Sequence, residues 1–252
     1  MTTEVRLTIE RRVDVADGHS FGTAGAYERL VGKVHFALDP NDARNQNVVD
    51  LELAPRNGAG LVEFSGDLDI LKPVDRALGN RRLLYDVNNR GGKTSLRAFN
   101  DSPPDADPTT LASFGNGYLM RNGYTVVWSG WQGDILPGNG RMTMQLPIAT
   151  NKGREITGVV RTEFISDEPG NVTFPLSGSA PQAAGPRLRW NNDYTASYEA
   201  ASLDTALATL TCREYERDPR LPIPSDEWQF AALDEEGKVV PSATDLAHLD
   251  HR

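Results

Sequence analysis

The sequence contains one cysteine, Cys212, in 252 residues. A single thiol excludes an intramolecular disulfide framework and any zinc site built from several cysteines. No basic run is longer than a pair, and acidic residues outnumber basic ones 35 to 26. Phosphate backbones need clustered Lys and Arg, so a nucleic-acid partner is not expected. No apolar run approaches the ~18 residues of a membrane span. Met1 to Arg12 alternates polar and apolar residues and lacks the apolar core of a signal peptide. The expectation is a soluble cytoplasmic protein without a membrane partner. Against these absences stand 23 glycines and 16 prolines, which point to many turns. The length is enough for one large domain or two small ones with a substantial core.

The dominant period is two. Val5, Leu7 and Ile9 alternate with charged or polar neighbours and predict a half-buried strand, as do Val34, Phe36 and Leu38. Asp39 to Asp42 supplies a turn. Val48 to Leu53 predicts a further short strand. Val62 to Ile70 predicts a bent strand or hairpin around Gly66 and Asp67, stopped by Pro73. Residues 1–75 therefore form an expected β-rich segment.

The pattern changes in residues 76–135. Arg82 to Val87 is apolar on both faces, as in a covered sheet. It leads into the loop Asn88-Asn89-Arg90-Gly91-Gly92-Lys93. Thr109 or Thr110 can cap a helix carrying Leu111, Phe114, Tyr118 and Leu119, which stops at Asn122-Gly123. Tyr124 to Trp128 is a second strand. Strand, loop, helix and strand make a βαβ unit whose two strands should be parallel neighbours.

In residues 136–252 the period returns to two. Strands are expected around Met142 to Ile148, Ile156 to Ile165 and Ala208 to Cys212, with a surface excursion over 168–195. The last twenty residues are acidic and polar and predict a tail.

Gly18-His19-Ser20-Phe21-Gly22 fits G-x-S-x-G, the nucleophile elbow of serine hydrolases. An elbow follows a buried strand and opens a helix. The stretch before Ser20 is polar, and the one after it is short and holds Gly25. Ser20 as nucleophile is therefore weighed against a Gly-rich turn between two strands, and the turn is preferred.

The ordered pieces of this chain resemble a family of large bacterial proteins known as α/β-hydrolase-domain proteins. They begin with Asp17-Gly18, Ser20-Phe21-Gly22, Tyr27-Glu28-Arg29-Leu30 and Phe36 to Pro40. They continue through Asn47 to Leu51, Ala54-Pro55, Asn89-Arg90-Gly91 and Trp128 to Asp134. The last are Ala208 to Arg213, Ile223-Pro224 and Trp228 to Ala231. The resemblance implies an α/β fold class: a partial α/β-hydrolase-like sheet with a β-rich N-terminal layer and a β-rich insertion. It covers the family's N-terminal half, ahead of its nucleophile, acid and histidine. The implied function is the N-terminal portion of a serine hydrolase for esters or amides, inactive alone, with an ester-like small molecule as substrate.

Asn89, Arg90, Gly91 and Gly92 would form the oxyanion-side loop, where backbone N–H groups meet developing negative charge. Arg90 would bind a substrate carboxylate or brace the loop against an acid such as Asp134. Trp128, Trp131, Gln132 and Asp134 would line the pocket or, for the tryptophans, pack the β-layer. No cofactor is implied.

Other candidates are weaker. Asp245, His248, Asp250 and His251 have loose metal-ligand spacing, but a solvated tail fits better, so no metal is expected. Asp67 and Asp69 are spaced for calcium or, more simply, for a solvated strand face. Glu227 and Trp228 pair an acid with a stacking surface. Gly138-Asn139-Gly140 reads as a turn rather than a phosphate loop. The competing function is a non-catalytic β-rich module binding a small molecule or a protein, supported by the many period-two segments and few helices; a partial hydrolase sheet would instead associate through its exposed edge.

Overall fold

The structure is a computed structural model that describes residues 4–164, 173–176 and 199–248. It divides into two compact units, Met1–Ile156 and Thr157–Arg252.

Alternating side chains in the first unit produce three long strands: Glu4–Asp14 (β1), Tyr27–Leu38 (β2) and Val62–Pro73 (β3). They form an antiparallel meander. β3 is one continuous strand, not the hairpin allowed at Gly66, because Gly66 lies in unbroken register against Val34. Val48 to Leu53 is not a strand; it ends in a single 3-10 turn, Leu51–Leu53. Two shorter strands, Leu83–Asp86 (β4) and Thr125–Ser129 (β5), are parallel neighbours, as the strand–helix–strand order predicts. β5 pairs antiparallel with β3, so the sheet order is β1-β2-β3-β5-β4, and Met144–Gln145 (β6) adds to β3. Thr150–Asn151 (β7) and Arg154–Glu155 (β8) close a small hairpin.

The expected α/β arrangement is overturned. Among the described residues strands hold 34% and helical turns 15%, with two α-helices, Ser95–Asn100 (α1) and Tyr118–Arg121 (α2). The described residues are sheet-rich and show no α/β-hydrolase-like arrangement of helices around parallel strands. The helix expected from Thr110 to Gly123 breaks because Gly115 and Gly117 both take positive φ, 51° and 68°. Only a 3-10 turn at Leu111–Phe114 and the single turn of α2 survive.

The short helical pieces still cover one face of the sheet. Leu96, Phe114, Leu119 and Met120 pack with Val15, Phe21 and Ala24 onto Tyr27, Leu71, Val126 and Trp128. The Tyr27 hydroxyl, raised in pKa by burial, donates to the Met120 or Tyr124 carbonyl. It therefore ties β2 to the end of α2.

The second unit holds Thr173–Pro175 (β9), Leu210–Cys212 (β10), Leu221–Ile223 (β11), Trp228–Leu233 (β12) and Val239–His248 (β13). β12-β13-β9 form one antiparallel sheet and β10-β11 a hairpin. The expected polar tail thus contains a ten-residue strand, paired with β12 across a turn at Asp234 to Lys238. The strand expected from Ile156 is irregular through Phe164, and most of the 168–195 excursion lies outside the described residues.

Candidate functional site

The two loops that leave β4 and β5 meet. The Trp131 indole N–H donates to the Asn88 carbonyl at 2.6 Å. The backbone N–H of Arg90 donates to the Gln132 side chain at 2.9 Å, and the Arg90 guanidinium reaches Asp134 at 2.8 Å. Gly92 N–H turns back to the Asn89 carbonyl, and Met142 N–H donates to the Gly91 carbonyl. Six of the residues picked from the sequence, Asn89 to Gly92 with Gln132 and Asp134, therefore share one cluster with Trp131. Arg90 and Gly91 have φ of 51° and 77°, the left-handed pair of a tight turn. A Cβ on Gly91 would lie 2.8 Å from the Met142 carbonyl oxygen, whereas at Gly92 the nearest atom is 3.4 Å away. Only Gly91 is held as glycine by both conformation and space.

This bonding narrows the oxyanion expectation. The N–H groups of Arg90 and Gly92 are already donated within the protein. Of the two loop glycines, Gly91 is the one whose N–H has no acceptor among the described residues, and Gly91 is itself buried. Asn88, which opens the loop and has no role assigned from the sequence, is buried. Its side-chain amide N–H donates to the Ser129 carbonyl, while its Oδ1 has no partner among the described residues. The Ser95 hydroxyl is likewise buried and without a partner among the described residues. Buried polar atoms are usually satisfied, so orphans beside a locked turn mark it as a place of interest.

Trp128 does not belong to a pocket wall. It is wholly buried in the core, and its indole N–H donates to Asp86 at 2.8 Å. Trp131 is half-exposed. Asp86 also accepts from the backbone N–H groups of Thr94 and Ser95. That carboxylate at the helix entrance satisfies donors that α1 leaves open. It thereby links the end of β4, Trp128 and the exit of the loop.

Beneath the loop lies a buried charge network. Arg29 forks onto Asp69 with bonds of 2.7 to 2.9 Å. Lys93 also pairs with Asp69, donates to the Ala106 carbonyl, and lies 5.5 Å from the Trp128 ring centroid. Burial pushes the Lys93 pKa down, against the pull of Asp69. Asp107 completes the network by pairing with Arg29 and, at its exposed side, with Arg11. The solvated strand face expected for Asp67 and Asp69 is therefore wrong for Asp69. Asp67 pairs with Lys33 and accepts from Thr143. Both carboxylates are committed to cations or N–H donors, and no three His, Cys, Asp or Glu gather for a metal among the described residues.

Ser20 is exposed in a turn between two 3-10 segments, Ala16–Gly18 and Gly22–Ala24, and its hydroxyl donates to the Gly22 carbonyl. No strand-to-helix elbow surrounds it. Its neighbour His19 packs edge-on against Phe21. Trp228 is buried and offers no stacking face. Gly138 to Arg141 forms a turn closed by Arg141 N–H on the Gly138 carbonyl. Asp250 and His251 lie outside the described residues, as do the side chains of Asp245 and His248. No helix among the described residues is long and apolar enough to cross a membrane. Comparisons with family models, with curated proteins and with solved structures find no match.

Proposed function

We propose that this chain is the substrate-side portion of an ester- or amide-cleaving serine hydrolase, unable to turn over substrate by itself. One observation carries the reading. The loops leaving the only parallel strand pair among the described residues, β4 and β5, lock Asn89 to Gly92 against Trp131, Gln132 and Asp134. Ends of parallel strands are where loops are free to receive ligands. In this reading Gly91 N–H meets the substrate carbonyl, the half-exposed Trp131 covers the acyl portion, and Arg90 holds the turn in place through Asp134. The nucleophile and its base come from another polypeptide segment. Titration with a short N-acyl amide, read by Trp131 fluorescence against a Trp131→Phe control, should saturate. Binding should weaken by about tenfold in Gly91→Ala. A signal that survives Trp131→Phe, or no saturation, overturns the reading.

A second reading is a protein-binding module, favoured by the sheet edge. β4 is an end strand, and Leu83 and Tyr85, with Val87 just beyond it, are exposed. An unpaired edge flanked by apolar side chains accepts a further extended strand. In this reading a partner's apolar strand adds to β4.

A further inference from the structure

A hollow of about 440 Å³ lies where β1, β2, β3 and β6 run side by side. The register lines up one row of polar residues across these strands. Arg6 faces His35, His35 faces Ser65, and Ser65 faces Gln145. Directly paired residues project from the same face at a spacing of about 5 Å. Guanidinium, imidazole, hydroxyl and carboxamide therefore stand abreast. The next row on that face is Glu4, Ala37 and Glu63. Ala37, nearly covered, places only a methyl group between two carboxylates. All seven residues line the hollow, whose volume falls within the range of small-molecule sites.

The local bonds leave donors to spare. The Arg6 guanidinium touches Thr8 through one nitrogen. The Ser65 hydroxyl donates to Gln145 Oε1, which leaves the carboxamide N–H groups of Gln145 available. The His35 imidazole makes no hydrogen bond among the described residues. On the acidic row, Glu63 accepts from Asn57 through one oxygen.

We propose that this hollow binds a small zwitterion, an amino acid being the simplest. The ligand carboxylate sits between Arg6 and His35, and its ammonium sits beside Ala37 between Glu4 and Glu63. A simple anion would gain the first row but face the two carboxylates, and a simple cation would meet the guanidinium. Only a ligand with both charges satisfies both rows, so the arrangement selects by repulsion as well as attraction. This proposal uses none of the loop-cluster residues and stands or falls separately from the hydrolase reading.

Glycine titrated into the whole chain and followed by amide NMR tests it. Saturable shifts are expected at Arg6, His35, Ser65 and Gln145, with a dissociation constant on the order of 1 mM for so few ligand atoms. Acetate alone and methylammonium alone should each bind about tenfold more weakly. Ala37→Leu should abolish the shifts by filling the hollow. If its spectrum shows a disturbed fold, Arg6→Gln on exposed β1 decides, with an expected loss of about tenfold. Absent shifts, acetate binding as well as glycine, or full affinity in Arg6→Gln overturn the proposal.

Discussion

Lys93 and Asp69 pair inside the first unit with their side chains 5% and 2% exposed. Arg29 joins from β2, 3% exposed, and Asp107 pairs with it at the rim, where 59% of its side chain meets water. Two cations and two carboxylates thus offset one another where strand β3, the loop after β4 and the Asp101 to Pro108 segment converge. Removing one member leaves an uncompensated buried charge, and that costs more than the pair contributes.

Asp69→Ala should therefore destabilise the first unit by about 3–5 kcal/mol, because it strands both Arg29 and Lys93. Lys93→Met should cost less, since Arg29 still forks onto Asp69. Urea unfolding followed by tryptophan fluorescence checks the order. Equal losses would contradict a network centred on Asp69.

Asp107 sets an acid dependence. Burial acts to raise its pKa, but hydrogen bonding and charge from Arg29, helped by Arg11, outweigh this and hold it below the ordinary aspartate value. A depressed carboxyl contributes stability that is complete above its unfolded value of about 3.9 and lost as pH falls through its folded value. Wild type should lose stability over that acidic window more steeply than Asp107→Asn. Parallel stability-against-pH curves would show that the pairing contributes nothing.

The two loop glycines should behave differently. Gly91→Ala combines positive φ with a clash against Met142 backbone and should cost about 1–3 kcal/mol. Gly92→Ala meets only ordinary contact and should stay within about 1 kcal/mol of wild type, the ordinary cost of an undisruptive change. Thermal unfolding of both variants separates them. A tolerant Gly91 would mean the turn is not held as described.

The exposed β4 edge has its own consequence. If it takes up extended strands, the chain should self-associate at high concentration, and Tyr85→Lys should reduce that association. Light scattering after size exclusion measures it. A monodisperse monomer at all concentrations would remove the support for strand addition.

These features differ in how far the sequence discloses them. Alternation at Val5, Leu7 and Ile9 shows β1 directly, and the strand–loop–helix–strand order anticipates the parallel β4 and β5. The approach of Arg90 to Asp134 is also open to sequence reasoning, since both flank strand ends. Asp69 is different: an aspartate two residues from another aspartate looks solvated until Arg29 and Lys93 arrive from distant segments. Asp86 caps α1 from eight residues upstream of Thr94, and no local capping pattern signals it. The overestimated helix shows the converse failure. Apolar spacing from Leu111 to Leu119 fits a helix, yet the left-handed backbone at Gly115 and Gly117 interrupts it. The α/β expectation failed with it, because the few helical residues cover one sheet face as short pieces.

The hydrolase reading rests on substrate being held without being cleaved. Titration of the chain with a chromogenic short-chain ester, followed at once by Trp131 fluorescence and by product release, tests this most directly. The account predicts a saturable fluorescence change with no release above the buffer rate, unaltered by Ser20→Ala. Product release that disappears in Ser20→Ala, or no fluorescence change at any ester concentration, would contradict it.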